Sequence, residues 1–460
     1  MTLYTHLVSG LLFPLHERLK GHTSVAVRRQ LEASQWWPAE RIAALQMERL
    51  RVLLRHAGAQ VPFYRKLFAG IGFDPAAVRS VADLSRLPFL TKPVIRENLE
   101  ALKAADARGL ARFNTGGSSG EPLIFFIGKE RVSHDVAAKW RATRWWDVDI
   151  GDPEIVVWGS PIELTKQDRV KALRDRLLRT ELLPAFEMSE AKLDEFVARI
   201  CAARPRMLFG YPSALTHIAR HAERRGRRMD DLGICVAFVT SEKLYDEQRA
   251  DIGRIFGCRV ANGYGGRDAG FIAHQCPAGG MHITAEDIVV EIVDAEGKAL
   301  PPGEAGEIVV THLATRDFPF IRYRTGDVGV VDAQPCACGR GLPLLKEIQG
   351  RSTDFVVARD GTVMHGLALI YTVRDLPGVE RFKIVQHSLD CTEVQLVATD
   401  AFDAAGEARI RRDFAARLGE GVDIRISRVA DIAPERSGKY RYVVSKVDAR
   451  AAAGGGEGGA

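Results

Sequence analysis

The sequence contains no run of about 18 apolar residues, the length at which a helix begins to span a bilayer, and so excludes a transmembrane helix. Cysteine is sparse. The seven cysteines in 460 residues (Cys201, Cys235, Cys258, Cys276, Cys336, Cys338 and Cys391) are odd in number and irregular in spacing. That argues against a disulfide framework and for a reducing compartment, so the expected location is the cytoplasm. A strong excess of one charge is also missing: 64 Lys and Arg face 59 Asp and Glu, a net +5. Such a balance calls for no nucleic-acid partner. The first residues, MTLYTHLVSGLLFPLHERLKG, have no basic leading stretch and no small-residue cleavage site. They read as mature protein rather than a signal peptide. Loose membrane contact through Leu11, Leu12 and Phe13 is an alternative to a packed arm, and the packed arm is preferred. The usual nucleotide loops, GxxxxGK[ST] and a GxGxxG closing a first strand, are both absent.

What is present is ordinary for a large globular chain: 46% apolar and 27% charged residues, with room for two or three domains. Ile42, Leu45, Leu50, Leu53, Leu54 and Ala57 recur at helical spacing. Arg41, Arg51 and Arg55 lie on the opposite, solvated side, and Arg49 breaks the pattern by falling on the apolar side. Between residues 113 and 270 apolar runs, small-residue turns and helical patterns alternate: LIFFIG, a helix over 129–146, EIVVWGS, RMLFGYPSALTHIARHAERRG, ICVAFVTSEKL and CRVANGYGG. This predicts a mainly parallel sheet, with the loops at 115–121, 211–213, 240–242 and 262–268 on one rim. From about residue 282 alternation of apolar and polar residues predicts antiparallel strands, and a smaller domain begins after Gly350. The tail ARAAAGGGEGGA is low in complexity and reads as disordered.

The stretch TGGSSGEP, Thr115 to Pro122, crowds small and hydroxyl residues together. Such a loop can bring N–H groups and hydroxyls close to phosphate, although a plain flexible turn has the same composition. Further on come GYGGRDAG (Gly263–Gly270), YRTGD (Tyr323–Asp327), GRSTD (Gly350–Asp354) and RSGKYR (Arg436–Arg441). In this order they resemble the motif series of the adenylate-forming superfamily, which holds acyl-CoA synthetases, luciferases and peptide-synthetase adenylation domains. LQMERLRVLLRHA, VPFYR, LPFLTK, IRYRTGD and CACGR resemble the phenylacetate–CoA ligase branch, and DGTVMHG (Asp360–Gly366) is more similar to its capsule-cluster relatives.

The resemblance implies an α/β fold: a large N-terminal AMP-binding domain with a parallel α/β sheet and an antiparallel β subdomain, then a small mobile C-terminal α+β domain. The expected boundaries are 1–350, a hinge at 351–354, a lid at 355–448 and a disordered tail at 449–460. It implies ATP-dependent activation of a carboxylic acid as an acyl-adenylate with pyrophosphate release, then transfer to CoA, with aryl or arylacetic acids favoured. The alternatives are an amide ligase with an amine acceptor and a nucleotide-binding relative without catalysis. A homodimer is compatible with this reading. Thr115, Ser118, Ser119 and Gly120 would hold the β- and γ-phosphates. Asp268 would hold Mg²⁺, Tyr264 would lie against adenine with Gly265 beside it, and Asp327 would accept the ribose hydroxyls. Arg351 would contact ribose or phosphate, and Lys439 would meet charge at the α-phosphate.

Simpler roles exist for each group: a turn aspartate at 327, a helix-start acid at 268, a surface pair for Arg351 and a solvated basic cluster around Lys439. Two positions depart from the pattern. Asp268 is one methylene shorter than the usual glutamate, and Thr353 stands where a hinge aspartate is frequent. Tyr211, Ser213, Thr240 and Gly265 are the candidate acid-pocket residues, with Trp158 on the same rim or in the core. Trp36, Trp37, Trp145 and Trp146 are assigned to core or interface. Cys276, His282, Cys336 and Cys338, with His274 nearby, offer four soft ligands for a closed structural Zn²⁺ site, or else are unlinked thiols.

Overall fold

The computed structural model describes residues 2–114, 123–158, 169–185, 190–351, 355–360, 363–365, 367–374, 376–433 and 441–447. It opens with a continuous helical run: α1 (Leu3–Leu7), a π-helical turn (Val8–Leu12) and α2 (Phe13–Leu19). Then come α3 (Ser24–Ser34), α4 (Ala39–Gln60), α5 (Pro62–Ile71) and α6 (Lys92–Glu97). Proline supplies the first turn of α5, and Gly72, at φ 62°, ends it in the left-handed region that glycine tolerates. In α4 the stripe Ile42, Leu50, Leu53, Leu54 and Ala57 is buried, as its spacing requires. Arg49 lies on that side because it bonds the Glu286 carbonyl at 2.8 Å and pairs with Asp287 at 2.5 Å. Arg51 is not merely solvated: its Nε donates to the Val78 carbonyl at 3.1 Å.

The strands β1 (Ala111–Asn114) and β2 (Ile124–Ile127) form an antiparallel pair of their own, apart from the main sheet. The small-residue loop 115–122 between them lies outside the described residues. After α7 (Lys129–Arg144), β3 (Glu154–Trp158), α8 (Arg169–Leu178), β4 (Thr180–Pro184), α9 (Glu190–Ala203), β5 (Met207–Gly210), α10 (Pro212–Arg224), β6 (Val236–Thr240) and α11 (Asp246–Phe256) alternate strand and helix. They are followed by β7 (Arg259–Gly266), β8 (Gly270–Gln275), β9 (Met281–Ile283), β10 (Ile288–Val293), β11 (Ala305–His312), β12 (Tyr323–Asp332) and β13 (Leu344–Arg351).

These strands make one sheet of eleven, in the order β10-β11-β12-β13-β9-β8-β7-β6-β5-β3-β4. Strands β3 to β7 pair in parallel, and the β7–β8 turn reverses the sense. The antiparallel region is therefore a continuation of the same sheet, not a separate layer. Edge strand β4, which lies within a charged, helix-rich stretch, was not legible from spacing. Buried apolar residues of β3, β5 and β6 pack against α9, α10 and α11 in one core cluster.

One compact unit extends to Gln349 and a second begins at Gly350. The second holds β14 (Phe355–Val357), β15 (Val363–His365), α12 (Leu367–Arg374), β16 (Val379–Ser388), β17 (Cys391–Ala398), α13 (Ala404–Leu418), β18 (Asp423–Arg428) and β19 (Val443–Ser445). Its four-stranded sheet runs β18-β17-β16-β19. Asp403 caps α13 by accepting from the Gly406 N–H at 3.0 Å. The helix bearing Ile410, Phe414 and Leu418 buries those three residues.

Candidate functional site

Strand register sets out the rim. Val157 of β3 pairs with Gly210 of β5, Gly210 with Val239 of β6, and the next residue, Thr240, with Gly263 of β7. Trp158, Tyr211, Thr240 and Gly263 thus stand side by side where parallel strands end, the edge at which α/β sheets bind ligands. A Cβ at Gly210 would collide with the Val157 carbonyl, so the strands approach closely here. Trp158 is half-buried and stacks on Tyr211, with ring centroids 4.5 Å apart and planes at 28°, and on Phe209 at 5.9 Å. Tyr211 precedes Pro212 at the start of α10, and the Ser213 N–H donates to the Glu242 carboxylate at 3.2 Å.

The two motifs that spacing alone leaves far apart meet through their side chains. The Tyr264 hydroxyl donates to Asp327 Oδ2 at 2.8 Å. The Tyr323 hydroxyl donates to Asp268 Oδ2 at 2.7 Å. Burial, with the Asp327 carboxylate adding to it, raises the Tyr264 pKa well above its ordinary value and keeps the phenol a donor. Asp268 Oδ1 also accepts from the Ala269 N–H at 3.1 Å. A carboxylate has about four acceptor directions, so these bonds orient Asp268 and leave it capable of ligating a hard cation.

The turn between β7 and β8 is held from below. Arg131 of α7 is buried and donates from Nη2 to the Arg267 and Asp268 carbonyls at 3.3 and 3.4 Å. Its Nε bonds Asp135 at 2.9 Å. Burial works against the Asp135 charge, but Arg131 and His312 outweigh it and hold that carboxyl below its usual range. Gly270 sits at φ 89°, and a Cβ there would lie 2.7 Å from the His312 ring. Gly265 meets the Gly270 carbonyl so closely that no side chain fits. Within YRTGD, Arg324 pairs with Glu307, the Thr325 hydroxyl bonds the Ile308 carbonyl at 2.7 Å, and Gly326 has φ 79°. Arg131 and Glu242 escaped sequence reasoning. Arg131 lies in a helix of ordinary charge pattern, and Glu242 stands in a turn without a motif.

Thr115, Ser118, Ser119, Gly120, Thr353 and Lys439 lie outside the described residues, and Arg351 is described only as the last residue of β13.

A second cluster lies where β9 pairs with β13, which brings residues 336–338 back to the β8–β9 turn. Ligand atoms of Cys276, His282, Cys336 and Cys338 all fall within 4.8 Å of one another. The Cys276 and Cys336 sulfurs are 3.7 Å apart, too far for a disulfide. That separation matches the sulfur–sulfur edge of a tetrahedron with Zn–S bonds of about 2.3 Å. His282 Nε2 is 3.2 Å from Cys338 Sγ, and Nδ1 is 3.4 Å from the Leu342 carbonyl, the outer partner that orients a ligating imidazole. Burial pushes the Cys276 thiol up to about 12 and the His282 imidazole down to about 4, so His282 is held in the neutral form a metal needs. Gly280 is obligatory here, since a Cβ would lie 2.5 Å from the Cys336 sulfur. His274 does not join the set; it is buried between Phe238 and Phe271. Arg340 lies over the rings of Trp36 and Trp145 and bonds Gln35 at 3.0 Å, which docks the cysteine loop on the first helices.

Comparison with known proteins agrees with this architecture. Residues 356–446 match the family described as CapK C-terminal domain. The Staphylococcus aureus protein CapK is 22% identical over 96% of this chain and 96% of its own length. A phenylacetate–coenzyme A ligase of Thermus thermophilus is 28% identical over 70% of this chain and 73% of its own. A crystal structure of 2-hydroxyisobutyryl-CoA ligase in the postadenylation state, in complex with R3-HIB-AMP, shares the fold. It covers 90% of this chain and 91% of its own, with a TM-score of 0.72 and 21% identity. In motif order, sheet topology and sequence the chain is thus similar, at modest identity, to the phenylacetate–coenzyme A ligases and to CapK, and it shares the fold of 2-hydroxyisobutyryl-CoA ligase.

Proposed function

We propose that the chain activates a carboxylic acid with ATP, forming an acyl-adenylate and releasing pyrophosphate, and then passes the acyl group to CoA. The observation that carries this reading is the interlock of GYGGRDAG with YRTGD, Tyr264 on Asp327 and Tyr323 on Asp268. It sets an aromatic face, two carboxylates and the rim of a parallel sheet together.

In this reading Tyr264 lies against adenine, and Asp327 accepts the ribose hydroxyls. Thr115, Ser118, Ser119 and Gly120 donate to the β- and γ-phosphates, and Arg351 meets ribose or phosphate. Asp268 would hold Mg²⁺, which when bound supplies charge neutralisation between phosphate oxygens. The acid's carboxylate oxygen bonds to the α-phosphorus as the bond to pyrophosphate breaks. Lys439 offsets the charge that gathers there. The stack of Trp158, Tyr211 and Phe209 supports a flat apolar acid, aryl or arylacetic, with Ser213, Thr240 and Gly265 at its polar end. Cys276, His282, Cys336 and Cys338 would close a structural Zn²⁺ site; four protein ligands leave no open position for catalysis.

A second acceptor, an amine giving an amide, is motivated by Thr353, which stands where a hinge aspartate is frequent, and by the segment DGTVMHG (Asp360–Gly366). Acid-dependent ATP–pyrophosphate exchange with Mg²⁺, run across aryl, arylacetic and fatty acids, tests the first step. Exchange with one acid supports adenylation and names the class. Tight ATP binding with no exchange from any acid class overturns it. CoA-dependent against amine-dependent AMP release then separates the acceptors.

A further inference from the structure

The N-terminal helical run packs one side on the body of the protein and leaves the other bare. Thr5, Val8, Phe13 and Glu17 are buried. The Thr5 hydroxyl bonds Asp152 at 2.7 Å, Val8 fills the space above Gly151, and Phe13 meets Trp140 edge-on at 5.1 Å. The arm is therefore docked, and neither Phe13 nor Leu12 is presented to solvent as an exposed residue. The opposite side carries a leucine at every fourth position: Leu3 is 90% exposed, Leu7 47%, Leu11 57%, Leu15 52% and Leu19 80%.

A regular α-helix turns by about 100° per residue, so a spacing of four drifts by about 40° each step. Over this length the drift alone would carry the last leucine to the far side of the helix. The π-helical turn at Val8–Leu12 is wider and winds the stripe back, which keeps all five leucines on the solvent side. Five exposed leucines in one row are a patch rather than scattered apolar residues. Leu177 of α8, 45% exposed, extends it, since the Tyr4 hydroxyl bonds the Leu177 carbonyl at 2.8 Å.

The rim of the patch is basic at both ends. Exposed Arg18 and Lys20 flank Leu19. Exposed Arg179 lies over the Tyr4 ring at 4.0 Å, with exposed Arg176 three residues before it. Arg174 is near enough to His16 to act on its charge, though it also pairs with Asp175. The one carboxylate of the run, Glu17, is turned inward to Ser24 and His22. A second copy of the chain is a poor occupant. An antiparallel two-fold contact between leucine rows would set Arg179 of one copy against Lys20 of the other. The tail 449–460 holds no apolar residue larger than alanine and cannot cover leucines.

We propose that this face is a membrane-surface anchor. Leu3, Leu7, Leu11, Leu15 and Leu19 enter the interface of an anionic lipid bilayer, and Arg18, Lys20, Arg176 and Arg179 meet its headgroups. The run lies in the surface plane and does not cross it; no helix among the described residues is long and apolar enough to span. An enzyme seated in this way would meet an acid or an acceptor that is itself held at a membrane.

The test is co-sedimentation of the full chain with vesicles of phosphatidylcholine alone and of phosphatidylcholine mixed with phosphatidylglycerol. The expected result is binding to the anionic vesicles that weakens as salt rises. The triple variant Leu7→Ser, Leu11→Ser, Leu15→Ser should lose about tenfold or more in partitioning. The pair Arg18→Glu, Lys20→Glu should lose the preference for anionic lipid. Both variants change exposed side chains only, so an unchanged melting temperature confirms that they fold. Absence of binding to either vesicle, or full binding by the folded triple variant, overturns the proposal. So does a dimer in sedimentation velocity that the triple variant dissolves while vesicles capture neither form.

Discussion

The hydroxyl of Tyr264 is the residue-scale test of the nucleotide site. In the proposed reading its ring lies against the base, while its hydroxyl fixes the Asp327 carboxylate. Tyr264→Phe keeps the ring and removes a hydrogen bond to a charged group, which typically contributes about 1.5–3 kcal/mol. The expected outcome is a KM for ATP raised by about tenfold or more in the exchange assay, with a smaller change in maximal rate. An unchanged KM would remove Asp327 from the ribose site. His134 and Asp287 are a second residue-scale case. Their side chains meet at 2.8 Å beneath Arg49. Burial opposes the imidazolium, but Asp287 outweighs it and raises the His134 pKa above 6.5. The contribution of a raised pKa is complete below the unfolded value and is lost as pH rises through the folded one. Burial also opposes the Asp287 charge, and His134 and Arg49 outweigh it, so that contribution persists above about 3.8 and fades only as pH falls through a lower value. His134→Asn should therefore lower Tm most between about pH 4 and 6.5, and the penalty should shrink at higher pH. Thermal melts across pH would show it; a penalty that grows with pH would contradict the pairing.

At the scale of elements, the cysteine loop and the β8–β9 turn are held by the Arg340 contacts, by the Gly341 N–H on the Gln35 carbonyl and by the Trp146 indole on the Gln275 carbonyl, and a metal at the Cys/His cluster would tie the two together. Cys276 and Cys336 lie 60 residues apart in sequence, so a metal joining them closes a long loop. Loop closure of this kind, with the coordination bonds, contributes several kcal/mol to small zinc folds. Purified protein should carry about one zinc per chain by elemental analysis. Chelation, or Cys336→Ala, should lower Tm by several degrees (about 1–2 kcal/mol in a chain this size) while exchange activity survives below the new melting point. Metal-free protein with an unchanged Tm would leave the four side chains as plain thiols and imidazole. Elements also mark where spacing was legible. The stripe in α4, the strands β3, β5 and β6 and the helix α10 follow from periodicity and turn residues. Strand β4, α12 and β19 do not, because each is short and draws its stability from neighbours outside its own stretch of sequence, and β15, paired with the nearby β14, is only three residues long.

At the scale of the whole molecule the chain divides into a unit that ends at Gln349 and one that begins at Gly350. Tyr264, Asp268 and Asp327 belong to the first, and Lys439 is the expected contribution from the C-terminal part of the chain. Lys439→Ala should reduce ATP–pyrophosphate exchange by about a hundredfold or more, the scale of removing one charge-stabilising donor, while nucleotide binding by calorimetry changes little. Unaltered exchange would refute a catalytic role for Lys439. The sequence by itself determined the order of motifs, the lack of an apolar run of about 18 residues, the parallel rhythm up to residue 270 and the cysteine and histidine types at 276–282 and 336–338. Those are properties of residue type and local spacing, which a short stretch of chain carries alone. Only the tertiary structure decided that Tyr264 meets Asp327, that Tyr323 meets Asp268, that Arg131 holds the turn beneath them and that the antiparallel strands continue the same sheet. It also decided that a row of leucines stays on one side of the first helices. Such contacts depend on register and crossing between segments tens of residues apart, where a single-residue shift exchanges faces, and no local pattern specifies them.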